Sequence, residues 1–106
     1  AMLSDRDTIV LLAERGGVPI GYATGTISFD ERRVLPRKGT LGDWYVDEAA
    51  RGTGAGRALL VELERRFVEA GCEVMESATW TFNEGARAAH EALGFKEVQV
   101  VYRKRI

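Results

Sequence analysis

The chain of 106 residues holds one cysteine, Cys72, two prolines and one histidine, His90. A single thiol cannot close an internal disulfide, and no CxxC pair or Cys/His cluster points to a metal. A lone reduced thiol is expected of a cytoplasmic protein. No apolar run approaches the roughly 20 residues of a membrane span, and no signal-peptide pattern opens the chain. Neither sign of charge dominates: 15 basic residues face 16 acidic ones, for a net charge of −1. Binding to a phosphate backbone ordinarily needs a basic excess, so nucleic acid is not the expected partner. A local basic patch for a small phosphorylated ligand remains open. Linkers, repeats and low-complexity stretches are missing too, so residues 1–106 read as one domain with one core.

What is present is hydrophobic pattern with clear punctuation. Residues 8–13 (TIVLLA) and 18–29 (VPIGYATGTISF) are β-like runs on either side of Gly16-Gly17, the mark of a hairpin. Residues 30–39 carry charges, Pro36 and Gly39, and read as a loop whose cluster Arg32, Arg33, Arg37 and Lys38 is solvated. Residues 40–46 (TLGDWYV) read as a third strand. Residues 54–70 read as a helix, because Ala55, Leu59, Leu63, Phe67 and Ala70 fall on one stripe, with Glu62 and Arg66 spaced i,i+4 on its flank. Gly71 is its expected stop. A fourth strand is expected over 74–79 and a second helix over 84–93, with Asn83 before it and Gly94 after it. Residues 95–105 close the chain with β character. The order is β-β-β-α-β-α-β, an α/β fold whose strand–helix–strand unit is a right-handed parallel crossover.

The chemistry-bearing stretch is VDEAARGTGAGRALL over residues 46–60. Gly52, Gly54 and Gly56 stand at the mouth of the amphipathic helix. Glycine lets the backbone turn tightly and bring N–H groups against a ligand. The helix N-terminus adds about half a positive charge. Together they suit a pyrophosphate, with Arg51 and Arg57 as flanking cations. A Walker A loop would need Gly-Lys-Ser/Thr, and no lysine stands in this stretch. A Rossmann GxGxxG would need glycine at position 57, where Arg57 stands, and would follow the first strand rather than the third.

The loop resembles the acetyl-coenzyme A signature of the GNAT acetyltransferases, R/Q-x-x-G-x-G/A, met by Arg51, Gly54 and Gly56. Residues 83–95 (NEGARAAHEALGF) are similar to the family's second signature, an asparagine opening a helix that ends in Leu-Gly-Phe. Histidine at position 90 followed by ALGFKEVQVVYRKRI is similar to aminoglycoside 6′-N-acetyltransferases and their relatives. The resemblance runs from about Ile9 to the C-terminus. It implies a GNAT-like mixed sheet, amino-terminally shortened, since the strand and two helices that ordinarily precede the hairpin are missing. It also implies acetyl-coenzyme A and an amine as partners, and no metal. An uncovered sheet edge invites pairing with a second copy, so the expectation is a homodimer or an upstream segment that is not part of this sequence.

By position, the resemblance implies that the N–H of Trp44 polarises the thioester carbonyl and that Val46 pairs with pantetheine. Tyr45 lies between them on the same strand. The loop of Arg51, Gly52, Thr53, Gly54, Ala55, Gly56 and Arg57 holds the pyrophosphate. His90 replaces a tyrosine that protonates the departing thiolate in many members; it is either a proton-handling group or a packed histidine. Asn83 is either a helix cap or a pantetheine contact. Asp43 and Glu76 are the candidate bases, with solvated strand residues as the alternative. Trp44, Tyr45 and Trp80 either wall the acceptor pocket or pack in the core. The implied activity is N-acetylation of a small primary amine. Protein lysine or N-terminal acetylation and a non-catalytic coenzyme A-binding regulatory module are the alternatives.

Overall fold

The computed structural model describes residues 7–29, 37–78 and 84–106. Strand β1 (Thr8–Arg15) and strand β2 (Val18–Phe29) form the expected hairpin. Its two-residue turn places Gly16 at φ 57° and Gly17 at φ 81°, values that side chains resist. Strand β3 (Arg37–Val46) pairs antiparallel with β2. Helix α1 (Ala55–Glu69) then crosses over to strand β4 (Val74–Glu76), which pairs parallel with β3. Helix α2 (Glu84–Ala92) follows. The sheet order is β1-β2-β3-β4. No helix among the described residues is long and apolar enough to cross a membrane.

The core lies between the sheet and α1. The expected stripe delivers Leu59, Leu63 and Phe67, joined by Leu60, onto Leu11, Ala23 and Leu41. Each leucine or phenylalanine among them contributes roughly 1.5–3 kcal/mol on full burial. The helix can sit this low because β2 and β3 carry glycines beneath it. A Cβ on Gly39 would lie 2.4 Å from Cγ of Phe67, and one on Gly25 would lie 2.5 Å from its Cζ. Leu93 and Phe95 bring the end of α2 against the same core.

Both helices stop on left-handed glycines, as the sequence predicts. After α1, Gly71 (φ 84°) lets Cys72 N–H reach the Phe67 carbonyl at 2.9 Å. After α2, Gly94 (φ 90°) lets Phe95 N–H reach the His90 carbonyl at 3.0 Å. The second turn folds the Phe95 ring back beside His90.

Three expectations are corrected. The loop expected over 30–39 ends earlier, because Arg37, Lys38 and Gly39 already belong to β3, paired with Phe29, Ser28 and Ile27. A ladder is made by backbone, and the two cations find local partners. Arg37 donates to the Ala70 carbonyl at 2.7 Å, and Lys38 pairs with Glu76 at 3.0 Å. Strand β4 is shorter than expected, since its pairing with β3 ends at Thr40↔Glu76. The β structure expected over 95–105, as one bent strand or two short ones, does not form; no strand pairing is present there, and Val98 and Tyr102 are 81% and 91% exposed. β-propensity reports packing against neighbouring strands, and the three residues of β4 offer this segment little edge to join.

Candidate active site

The site begins where two strands part. β3 and β4 pair only over Lys38–Thr40 and Val74–Glu76, yet β3 runs on to Val46. Beyond Thr40 the side of β3 that faces β4 has no strand partner among the described residues. The Asp47 N–H donates to the Ile20 carbonyl of the β2 side at 2.7 Å. Backbone groups in an antiparallel ladder face the same neighbour at every second residue. Tyr45 therefore turns its backbone groups toward β2 as well, and Trp44 and Val46 turn theirs into the fork.

An irregularity in β3 shapes the fork. The register passes from Ala23↔Trp44 to Gly25↔Leu41, so β3 holds one residue more than β2 there. This bulge at Gly42 and Asp43 is tied by the Asp43 N–H, which donates to Oγ1 of Thr24 at 2.8 Å. A Cβ at Gly42 would stand 2.6 Å from that same oxygen, so the bulge needs glycine. Sequence reasoning missed Thr24 and Gly42. A glycine inside a strand was the available signal.

The glycine loop lies at the far end of β3. A short 3-10 helix (Glu48–Ala50) leads into it, and Thr53 closes it by donating its hydroxyl to the Ala50 carbonyl. Gly54 caps α1 at φ 90°, with no side-chain hydrogen bond to the first turn. The first helical bond is Ala58 N–H to the Gly54 carbonyl at 2.9 Å. The N–H groups of Ala55, Gly56 and Arg57 thus have no intrahelical acceptor, which is what an anion at this terminus requires. Gly52 is also left-handed, at φ 78°.

Arg51 folds back over the strand. Its Nε donates to the Val46 carbonyl at 3.0 Å, and its guanidinium lies 5.9 Å from the Tyr45 ring centre. Val46 therefore keeps only its N–H for a ligand in the fork. Tyr45 is exposed and tilts against Tyr22, with ring centres 5.9 Å apart. Trp44 is half-buried against the core, and its indole N–H donates to the Gly56 carbonyl at 3.2 Å. Its side chain anchors the first turn of α1 to the sheet. Asp43 is exposed. Glu76 is held by Lys38 across the strands. Arg32, Arg33, Trp80 and Asn83 lie outside the described residues.

His90 packs across the fork from α2. Its ring meets Trp44 edge-on at 6.1 Å and Phe95 at 5.2 Å. Nδ1 lies 2.6 Å from the Ala86 carbonyl, and Nε2 lies 2.8 Å from Oγ of Ser77. Sequence reasoning singled out His90, as a proton-handling or packed histidine, and missed Ser77. No sequence signal pointed to Ser77, which lies just past the end of β4. Among the described residues no group of His, Cys, Asp and Glu is placed to hold a metal.

Comparison with known proteins places the fold and the family. Residues 1–95 match the profile of the acetyltransferase (GNAT) family. The chain is 35% identical over 104 residues to an aminoglycoside N(6')-acetyltransferase type 1 of Stenotrophomonas maltophilia, covering 94% of this chain and 68% of that protein. It is 34% identical over 90 residues to a mycothiol acetyltransferase of Sanguibacter keddieii, covering 85% of this chain and 29% of that one. Its fold superposes with a TM-score of 0.81 on AAC(6')-Iy in complex with the bisubstrate analog CoA-S-monomethyl-acetylneamine. That match is 30% identical in sequence and covers 97% of this chain and 72% of the other.

Proposed function

Because the chain belongs to the acetyltransferase (GNAT) family, we propose that its fork and glycine loop form one site, in which acetyl-coenzyme A meets the amine of a small molecule. The chain is an acetyl-coenzyme A-dependent N-acetyltransferase, and the transfer is to an amine. The observation that carries the site assignment is the bare first turn of α1. Its three N–H groups and Gly54 follow, after the short 3-10 turn and the glycine loop, the same strand whose backbone opens into the fork. In the proposal Arg51, Gly52, Thr53, Gly54, Ala55, Gly56 and Arg57 hold the pyrophosphate. The N–H of Val46 pairs with pantetheine, and the N–H of Trp44 polarises the thioester carbonyl. Tyr45 and Asp43 border the side from which the amine enters, and Asp43 orients it. His90 handles the proton. Trp44 acts through its backbone, since its side chain is committed to Gly56.

The amine of an aminoglycoside-type sugar is the proposed acceptor, because the aminoglycoside enzymes are similar over most of this chain. A cytoplasmic location belongs to the same proposal, supported by the lone free thiol of Cys72. So does a homodimer. Its support is the two outer sheet edges at β1 and β4 and the exposed Val10, Leu12 and Val18 along the hairpin. Sedimentation of a stable monomer at micromolar concentration would remove the dimer.

Release of free thiol from acetyl-coenzyme A tests the function, measured with a panel of aminoglycosides, other small amines and lysine peptides. Turnover confined to aminosugars is expected. Turnover of peptides alone would move the acceptor to protein amines. Tight binding of the cofactor with no turnover of any amine would leave a non-catalytic binding module.

A further inference from the structure

The hydrogen bonds of His90 fix where its proton sits. A backbone carbonyl only accepts, so the Nδ1 that lies 2.6 Å from the Ala86 carbonyl carries the hydrogen. In the neutral ring Nε2 is then bare, and it accepts the hydroxyl of Ser77 at 2.8 Å. Neither hydrogen is free for a third group: one is held by a carbonyl, the other by the ring. A neutral His90 in this setting has no proton to give. It can only take one up, and only at Nε2.

The position of Ser77 makes this relevant to the reaction. It follows Glu76, the last residue of β4 paired with β3, and so stands where the fork opens. Trp44, whose ring touches His90, stands on the other prong. The hydrogen-bonded pair of Ser77 and His90 therefore spans the fork.

We propose that Ser77 and His90 are a two-residue proton shuttle that first accepts the proton of the amine and then returns it to the sulfur. This rests on the acetyltransferase reading and extends it to a residue and an order of events. In the first step the amine nitrogen forms the C–N bond with its lone pair. Its N–H proton passes to Oγ of Ser77 as the hydroxyl proton of Ser77 passes to Nε2. The imidazole is then a cation that keeps its Nδ1–H on Ala86. In the second step the C–S bond breaks and its electron pair goes to sulfur. Ser77 gives its proton to the sulfur and recovers one from Nε2. The nitrogen has lost one proton, the thiol has gained it, and both residues return to their starting state. A neutral imidazole held this way brings no free proton of its own, so the histidine here must borrow one.

His90 is the sole histidine of the chain, so an untagged, nitrogen-15-labelled protein gives one imidazole in a long-range nitrogen–proton spectrum. The expected result, where the ring is neutral, is the Nδ1–H tautomer, with an Nε2 resonance that moves in Ser77→Ala. An Nε2–H tautomer would overturn the proposal. In kinetics, Ser77→Ala is expected to lower kcat by about a hundredfold, the lower end for a proton-transfer group. KM for acetyl-coenzyme A should stay within about twofold, and Ser77→Thr, which keeps the hydroxyl, should recover most of the rate. An unchanged kcat in Ser77→Ala, or a threonine variant no better than alanine, would overturn the shuttle even with the Nδ1–H tautomer in place. If the unaltered protein turns over no amine, the acetyltransferase reading and the shuttle fall together.

Discussion

Replacing Gly39 by alanine should damage both stability and cofactor binding, for one structural reason. The added Cβ would stand 2.4 to 2.6 Å from Cγ, Cδ2 and Cδ1 of Phe67. Carbon atoms rest at about 3.5–4.0 Å, so the ring must retreat by about 1 Å. It has little room, because Phe67 is 1% exposed and its far end already lies over Gly25. Overpacking of this kind costs about 1–3 kcal/mol, and the confined ring argues for the upper value. At about 4 °C per kcal/mol for a domain of this size, the thermal midpoint should drop by about 12 °C. Phe67 is part of α1, so its retreat tilts the helix and shifts Gly54, Ala55 and Gly56 relative to the fork. Misplacement by 1 Å is costly at a reacting site, so KM for acetyl-coenzyme A should rise as well. The control is Phe67→Leu, which removes the flat ring. In that background Gly39→Ala should cost little, with a coupling energy above about 1 kcal/mol in a double-mutant cycle followed by circular dichroism. Additive losses would show that Phe67 and Gly39 do not clash, and the packing argument would fail.

Further outcomes follow from single residues. Arg51→Ala should weaken acetyl-coenzyme A binding by about 10- to 100-fold in calorimetric titration, the loss of one charge-assisted hydrogen bond of about 1.5–3 kcal/mol, with KM for the amine unchanged. Glu76→Gln should leave kcat nearly unchanged in the thiol-release assay, because that carboxylate is committed to Lys38 rather than to an amine. Hydrogen bonds from Arg65 and then Arg66 lower the pKa of Glu62 from 4.5 to about 2. Its stabilising effect is therefore complete above pH 4.5 and lost as pH falls toward 2. Glu62→Gln should flatten acid unfolding in that window, less so in high salt. Burial raises the pKa of the Cys72 thiol, partly offset by Arg37. Its alkylation rate should reach half-maximum at a higher pH than a free thiol, and Arg37→Gln should move that pH higher still.

How much of this was legible in the sequence depends on which part of the residue makes the structure. Side-chain periodicity placed α1 and its buried stripe, because Leu59, Leu63 and Phe67 can meet the sheet only from one helix face. Glycines placed the turns, because Gly16, Gly17, Gly71 and Gly94 adopt φ values that other residues resist. Charge misled at Arg37 and Lys38, since a ladder binds backbone and is indifferent to a solvated cation with a partner nearby. Propensity misled over 95–105, because β-branched residues make a strand only beside another strand. The site was half legible for the same reason. Its glycine loop is a sequence signal, but the fork is an absence of pairing with no composition of its own, and the bulge left a single trace, Gly42 inside a strand.

The pair at its centre was not legible at all. Ser77 and His90 are 13 residues apart, and no spacing rule joins the residue after a strand to the last turn of a helix. What brings them together is Gly94, whose reversal sets Phe95 against the imidazole, and Trp44, which braces the ring from the other prong. Trp44 in turn is fixed by the carbonyl of Gly56 in the loop. The cofactor loop and the proton-handling pair are thus joined through one indole. Because its N–H bonds the first turn of α1 while its ring meets His90, any shift of that turn on anion binding would reach the imidazole through one indole, and a His90 resonance that moves on adding coenzyme A without amine is the result that would show it.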